Sequence, residues 1–89
     1  MHPITETFGM VIKQERKKQN ISQCKLADKT NMYPANIGEH ELGKKQPRLD
    51  TFCKFAIALG MTPVELMKLC QDYVDHREEQ KHANISNIF

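Results

Sequence analysis

The chain has 89 residues, enough for one domain and not two. Hydrophobic residues make up 39% and aromatics 7%, which fills one modest core but cannot line a large enzyme cleft. Net charge is only +2, but it is uneven: residues 1–54 carry ten Lys/Arg against six Asp/Glu, and residues 55–89 carry three against five. A basic front and an acidic back suit contact with an anionic polymer through one end, although ordinary solvated surface has the same look. Apolar runs are too short to span a membrane. The N-terminus has no charged-then-apolar leader, so the expected location is the cytoplasm.

Apolar residues recur with a period near 3.6 and never alternate as in a strand, which predicts an all-α fold of five helices. The first helix is expected from about Thr5 to Gln19, with Phe8, Val11, Ile12 and Arg16 on its inner face. Asn20 suits the left-handed position that closes it, Ile21 enters the core, and Ser22 is a good N-cap for the second helix. That helix is expected over 23–30, with Leu26 and Ala27 inward. Asn31 offers another left-handed turn residue, followed by Met32 as a core plug. Pro34 opens the third helix, at the position where a missing N–H costs nothing, and the helix runs to Leu42 before Gly43 stops it. A polar link, Lys44-Lys45-Gln46-Pro47-Arg48, leads to a fourth helix over about 49–59, with Leu49, Phe52, Ala56 and Leu59 on one face and Gly60 at its end. Thr62-Pro63-Val64-Glu65 is a capping box. It starts a long fifth helix that reaches about Lys81, with Leu66, Leu69, Cys70, Tyr73 and Val74 inside. The domain is thus expected over residues 1–82. Residues 83–89 form a tail with apolar Ile85, Ile88 and Phe89 that looks frayed.

Three cysteines (Cys24, Cys53, Cys70) at wide spacing give neither a disulfide framework nor a zinc site, and they read as buried or half-buried free thiols. The four histidines show no metal-ligand spacing. No nucleophile–base pair, phosphate loop or metal motif appears, so the chain is not expected to be an enzyme, and no cofactor is called for.

A short helix, a tight turn and a second short helix form the geometry that lays one helix in the DNA major groove while its partner braces it. Ala27 is small where the two helices cross, Asn31 fits the positive φ of the turn, and Ile37 seats the second helix on the first. Taken with Ile12, Arg16, Ile21-Ser22-Gln23, Leu26, Glu41, Gly43, Pro47, Leu49, Ala56, Leu59-Gly60 and Glu65-Leu66, these residues resemble the lambda-repressor/Cro (XRE-type) helix-turn-helix family. The resemblance covers about residues 8–67. It implies a five-helix DNA-binding domain, here with an extended C-terminal helix.

The resemblance also implies roles. Gln23 would contact a phosphate or the operator edge, and Arg16 with Glu41 would form an internal ion pair, against the alternative of two unrelated surface charges. Lys44, Lys45 and Arg48 would grip phosphates from the loop after the third helix. Base reading would fall to Tyr33, Pro34, Ala35, Asn36 and Glu39. Asn36 suits adenine, Glu39 cytosine N4 and Ala35 the thymine methyl, and any one of them could instead cap or solvate the helix.

Four features depart from the family pattern. Tyr33 stands where a small N-cap is usual. Gly38 lies inside the helix, at a cost of about 1 kcal/mol relative to Ala. His40 takes a usually apolar position and reads as a half-buried, hydrogen-bonded histidine. Glu39, His40 and Glu41 leave the helix without Lys or Arg.

The expected function is sequence-specific regulation of transcription, as a repressor bound to a palindromic operator on double-stranded DNA. The expected form is a homodimer joined through the C-terminal helix and tail, with no small-molecule effector. The alternative is an antitoxin-like or antirepressor-like protein-interaction module, which the acidic third helix favours.

Overall fold

The computed structural model describes residues 3–86, with side chains for residues 4–75. Five helices follow in order: α1 (Pro3–Lys18), α2 (Gln23–Thr30), α3 (Pro34–Glu41), α4 (Leu49–Ala58) and α5 (Pro63–Ser86).

Four reversals between them rest on residues at positive φ: Asn20 (60°), Asn31 (57°), Gly43 (73°) and Gly60 (77°). After α1, the Ile21 N–H donates to the Arg16 carbonyl and the Asn20 N–H to the Lys17 carbonyl. The same pair of bonds recurs at the other three, at Asn31/Met32, Gly43/Lys44 and Gly60/Met61. This double closure satisfies carbonyls that a helix end would otherwise leave open, and it needs a left-handed residue at the turn.

The starts are set as locally. The Ser22 hydroxyl accepts from the Lys25 N–H at 3.0 Å. Thr62 and Glu65 cap each other, the Thr62 N–H donating to Glu65 Oε1 at 3.0 Å and the Glu65 N–H to Thr62 Oγ1 at 3.1 Å. Tyr33 precedes α3 without a side-chain cap, and Pro34 alone sets that start.

One core forms from one stripe of each helix: Phe8, Val11 and Ile12, then Leu26 and Ala27, Ile37, Phe55 with Ala56 and Leu59, and Leu66 with Cys70. The α3 helix packs on α1 and α2, while α5 packs on α1 and α4. Phe8 and Phe55 meet edge to face with ring centres 5.5 Å apart.

Several expectations need correction. The first helix already includes Pro3, the first described residue, two positions before Thr5. Leu49 is 82% exposed instead of joining the face of Phe52, Ala56 and Leu59; as the first residue of α4 it has no preceding turn to pack under. Cys24 is exposed, near the solvent-facing start of α2. Cys53 is half-buried and Cys70 buried, where burial pushes the thiol up to about 11. His40 is fully rather than half buried, at 3% exposure. The α5 helix continues past Lys81 to Ser86, because Glu, Gln, Lys and Ala sustain a helix after its apolar stripe has ended. The expected tail residues Ile88 and Phe89 lie outside the described residues.

Candidate nucleic-acid interface

The two short helices α2 and α3 meet across Asn31, and the inner side of α3 is held from below. Ile37 is completely buried, and His40 and Glu41 are nearly so. Beneath them α1 comes unusually close. A Cβ on Gly9 would stand 2.2 Å from the His40 carbonyl oxygen and 2.8 Å from that of Glu41, so only glycine fits this crossing. Sequence reasoning missed this residue; its signal was a glycine inside an otherwise regular amphipathic helix.

Arg16 and Glu41 close the same seam. Arg16 Nε donates to Glu41 Oε2 at 2.6 Å and Nη2 to Oε1 at 3.0 Å, a two-point pair whose side chains are 10% and 3% exposed. The hydrogen bonds to Glu41 raise the guanidinium further above its usual range. Arg16 Nη1 also donates to the Ile21 carbonyl at 2.9 Å, which ties the pair to the turn before α2. Gln23 joins the cluster, its Nε2 donating to Glu41 Oε1 at 3.0 Å. One buried carboxylate thus orients a guanidinium from α1 and an amide from the first residue of α2.

The outer side of α3 is different. Tyr33 is 78% exposed, and Pro34, Ala35 and Glu39 are exposed as well. Asn36 is half-buried, and its Oδ1 accepts from Lys45 Nζ at 3.2 Å. Lys44 is exposed beside the turn. Arg48 faces another neighbour, Asp50, at 3.8 Å, with both side chains largely in solvent. The structure therefore groups Arg16, Gln23 and Glu41, and separately Asn36 with Lys45. It also narrows the acidity of α3. Of Glu39, His40 and Glu41, only Glu39 lies on the open face.

His40 sits edge-on between Phe8 and Phe55, with ring centres 6.1 and 5.3 Å away. Its Nδ1 has no hydrogen-bond partner. Desolvation, seconded by the nearby Lys45 charge, holds its pKa below the usual histidine value.

Among the described residues no group of three or more His, Cys, Asp or Glu could hold a metal, and no helix is long and apolar enough to cross a membrane.

A braced short helix with an open outer face, reached across a tight turn from a second short helix, is the geometry of the helix-turn-helix class. Residues 12–66 match the family model for helix-turn-helix domains (HTH_3), and the chain belongs to that family, in its XRE-type branch. It is a DNA-binding regulator of transcription. The control protein C.BamHI of Bacillus amyloliquefaciens is 36% identical over 61 residues, 67% of this chain and 75% of the relative. The restriction-modification controller protein C.AhdI from Aeromonas hydrophila superposes with a TM-score of 0.69 at 28% identity, covering 73% of this chain and 98% of that one. The clp gene regulator ClgR from Corynebacterium glutamicum reaches 0.82 at 16% identity over 98% of this chain and 90% of its own, a likeness of fold.

Proposed function

We propose that this chain is a controller of a restriction-modification system, acting in the cytoplasm as a homodimer that represses from a palindromic operator. The observation that carries the reading is the agreement of two relatives above 25% identity, both named as controllers and both matched over most of their length. The geometry is compatible with it. Tyr33, Pro34, Ala35, Asn36 and Glu39 present the base-reading face of α3. Gln23, held by Glu41, presents a phosphate contact at the start of α2, and Lys44 and Arg48 supply flexible cations beside it.

Two-fold half-sites call for two copies. The proposed contact uses the C-terminal helix at its first turns, where Val64 is 76% and Met67 49% exposed, with Leu49 beside them. These residues rim an apolar groove of about 630 Å³ between α1, α4 and α5. Arg48 lines the groove and faces Asp50 at 3.8 Å, so a two-fold axis could set each against the other of the second copy. In this reading the groove serves the second copy, and regulation acts through protein concentration rather than a small-molecule effector.

Gel shifts with fragments of the host genome, titrated in salt, test the reading. Selective binding upstream of restriction or modification genes, steeply weakened by salt, is expected. A Leu49→Asp variant should sediment as a monomer and bind the operator more weakly. No selective binding even at low salt would return the chain to the protein-interaction alternative.

A further inference from the structure

The α3 helix carries no Lys or Arg, so nothing on the helix itself can read guanine in the usual way. The loop that follows changes this. Gly43 at φ 73° and the two closing bonds, Gly43 N–H to the His40 carbonyl and Lys44 N–H to the Glu39 carbonyl, turn the chain back along the helix. From this turn Lys45 sends its ammonium over the outer face of α3, to the Asn36 side chain.

We infer that Lys45 is a base-reading residue, joined with Asn36 in one composite head that selects guanine. The inference rests on α3 being the reading helix.

The chemistry is a matter of donors and acceptors. An ammonium has only donors, so the Asn36 atom facing it must be the carbonyl oxygen. With one lone pair of that oxygen engaged and the ammonium beside the other, the pair turns mainly N–H groups outward, from Asn36 Nδ2 and from the remaining Lys45 hydrogens. Guanine offers two acceptors in the major groove, N7 and O6, and matches such a head. Adenine offers N7 beside an N6 amino group, which would meet a second donor. A free asparagine has the opposite preference, because its oxygen accepts from N6 while its amide donates to N7. Lys45 therefore shifts the reading that Asn36 would give alone from adenine toward guanine. In water such an exposed bond contributes little; inside an interface cleared of water it decides which base is tolerated.

Selection from a random double-stranded DNA pool tests this with the full chain, its Lys45→Ala variant and its Asn36→Ala variant, at low salt so that loss of one cation does not abolish binding. The wild type should enrich one G·C pair per half-site at the position that both variants disturb. Lys45→Ala should shift that position toward A·T, with the guanine-to-adenine preference falling by at least about fivefold. An unchanged base profile, with uniformly weaker binding and a salt slope shallower by about 0.9, would make Lys45 a phosphate contact and overturn the inference. A Lys45→Ala profile without preference there would also overturn it. If Asn36→Ala keeps the wild-type profile, the composite head is wrong while DNA binding stands. A wild type that selects nothing removes the reading role of α3 itself.

Discussion

The two sides of α3 use the same kinds of atoms to opposite ends. On the inner side, Glu41 spends both carboxylate oxygens on Arg16 and Gln23, His40 is boxed by Phe8 and Phe55, and Gly9 lets α1 touch the backbone. On the outer side, Asn36 and Lys45 meet each other and keep further donors open. A buried polar group must find its partner in its own chain, since leaving it unmade costs a full desolvation penalty. An exposed one can wait for a partner that the chain does not contain. Inner substitutions should therefore appear as lost stability, and outer ones as altered DNA selection in a protein that still folds.

The largest effect should come from Glu41→Ala. Removing one partner of a buried pair leaves the Arg16 charge uncompensated and typically costs about 3–5 kcal/mol. Urea denaturation should show a midpoint far below that of the wild type with an unchanged slope. A loss within about 1 kcal/mol, the range of exposed pairs, would put Arg16 and Glu41 in solvent instead. Next comes Gly9→Ala. Alanine is ordinarily the better helix former by about 1 kcal/mol. Here its Cβ would meet two backbone carbonyl oxygens below 3.0 Å. The expected net result is a destabilisation of about 1–3 kcal/mol, as for other overpacked sites. A variant as stable as the wild type would falsify the close crossing of α1 and α3.

His40 ranks third, a ring buried between Phe8 and Phe55 with the Lys45 charge nearby. Its folded pKa lies below the unfolded value through desolvation first and the Lys45 charge second, outweighing the Lys45 backbone bond and the Glu39 charge that raise it. The unfolded chain then binds the proton more readily. The stability gained from keeping the ring neutral is present above about pH 6.5, the unfolded value, and is lost as pH falls toward the folded one. Thermal melts from pH 7.5 to 5 should show this decline in the wild type and a flatter profile in His40→Phe. Equal slopes for both proteins would assign the decline to other groups.

How far the chain could be read from its residues follows the same division. Asn20, Asn31, Gly43 and Gly60 were legible because a positive φ restricts the residue type, and the Thr62–Glu65 box because its bonds span only three residues. The Arg16–Glu41 pair crosses 25 positions and came only from the family resemblance. Gly9 carried only the signal of a glycine inside an amphipathic helix, and nothing in α1 announces how close α3 will come. Leu49 looked like a core residue because periodicity carries no sign of where a helix loses its neighbours. The meeting of Lys45 with Asn36 depends on the path of a loop, which residue types set only at Gly43.

The smallest effect sharpens the boundary between the two sides. Gly38 departs from the family pattern, and close approach to DNA or to a second protein could account for it. Within the chain nothing requires it, because an added Cβ would meet only the Gln23 side chain, at 3.8 and 4.0 Å, an ordinary contact distance. Gly38→Ala should therefore stabilise the free protein by about 0.5–1 kcal/mol through the lower backbone entropy of the unfolded state. The same Cβ would stand beside the amide that Glu41 orients, so the operator affinity of this variant reports on the crowding around Gln23. Higher stability with unchanged affinity would place Gly38 on neither side, as a residue tolerated for want of selection against it. Higher stability with weaker binding at every sequence would mean that the DNA backbone passes over Gly38 and that the phosphate contact at Gln23 is as close as its geometry permits. A loss of stability would contradict the open space around Gly38 and, with it, the placement of Gln23 across from α3.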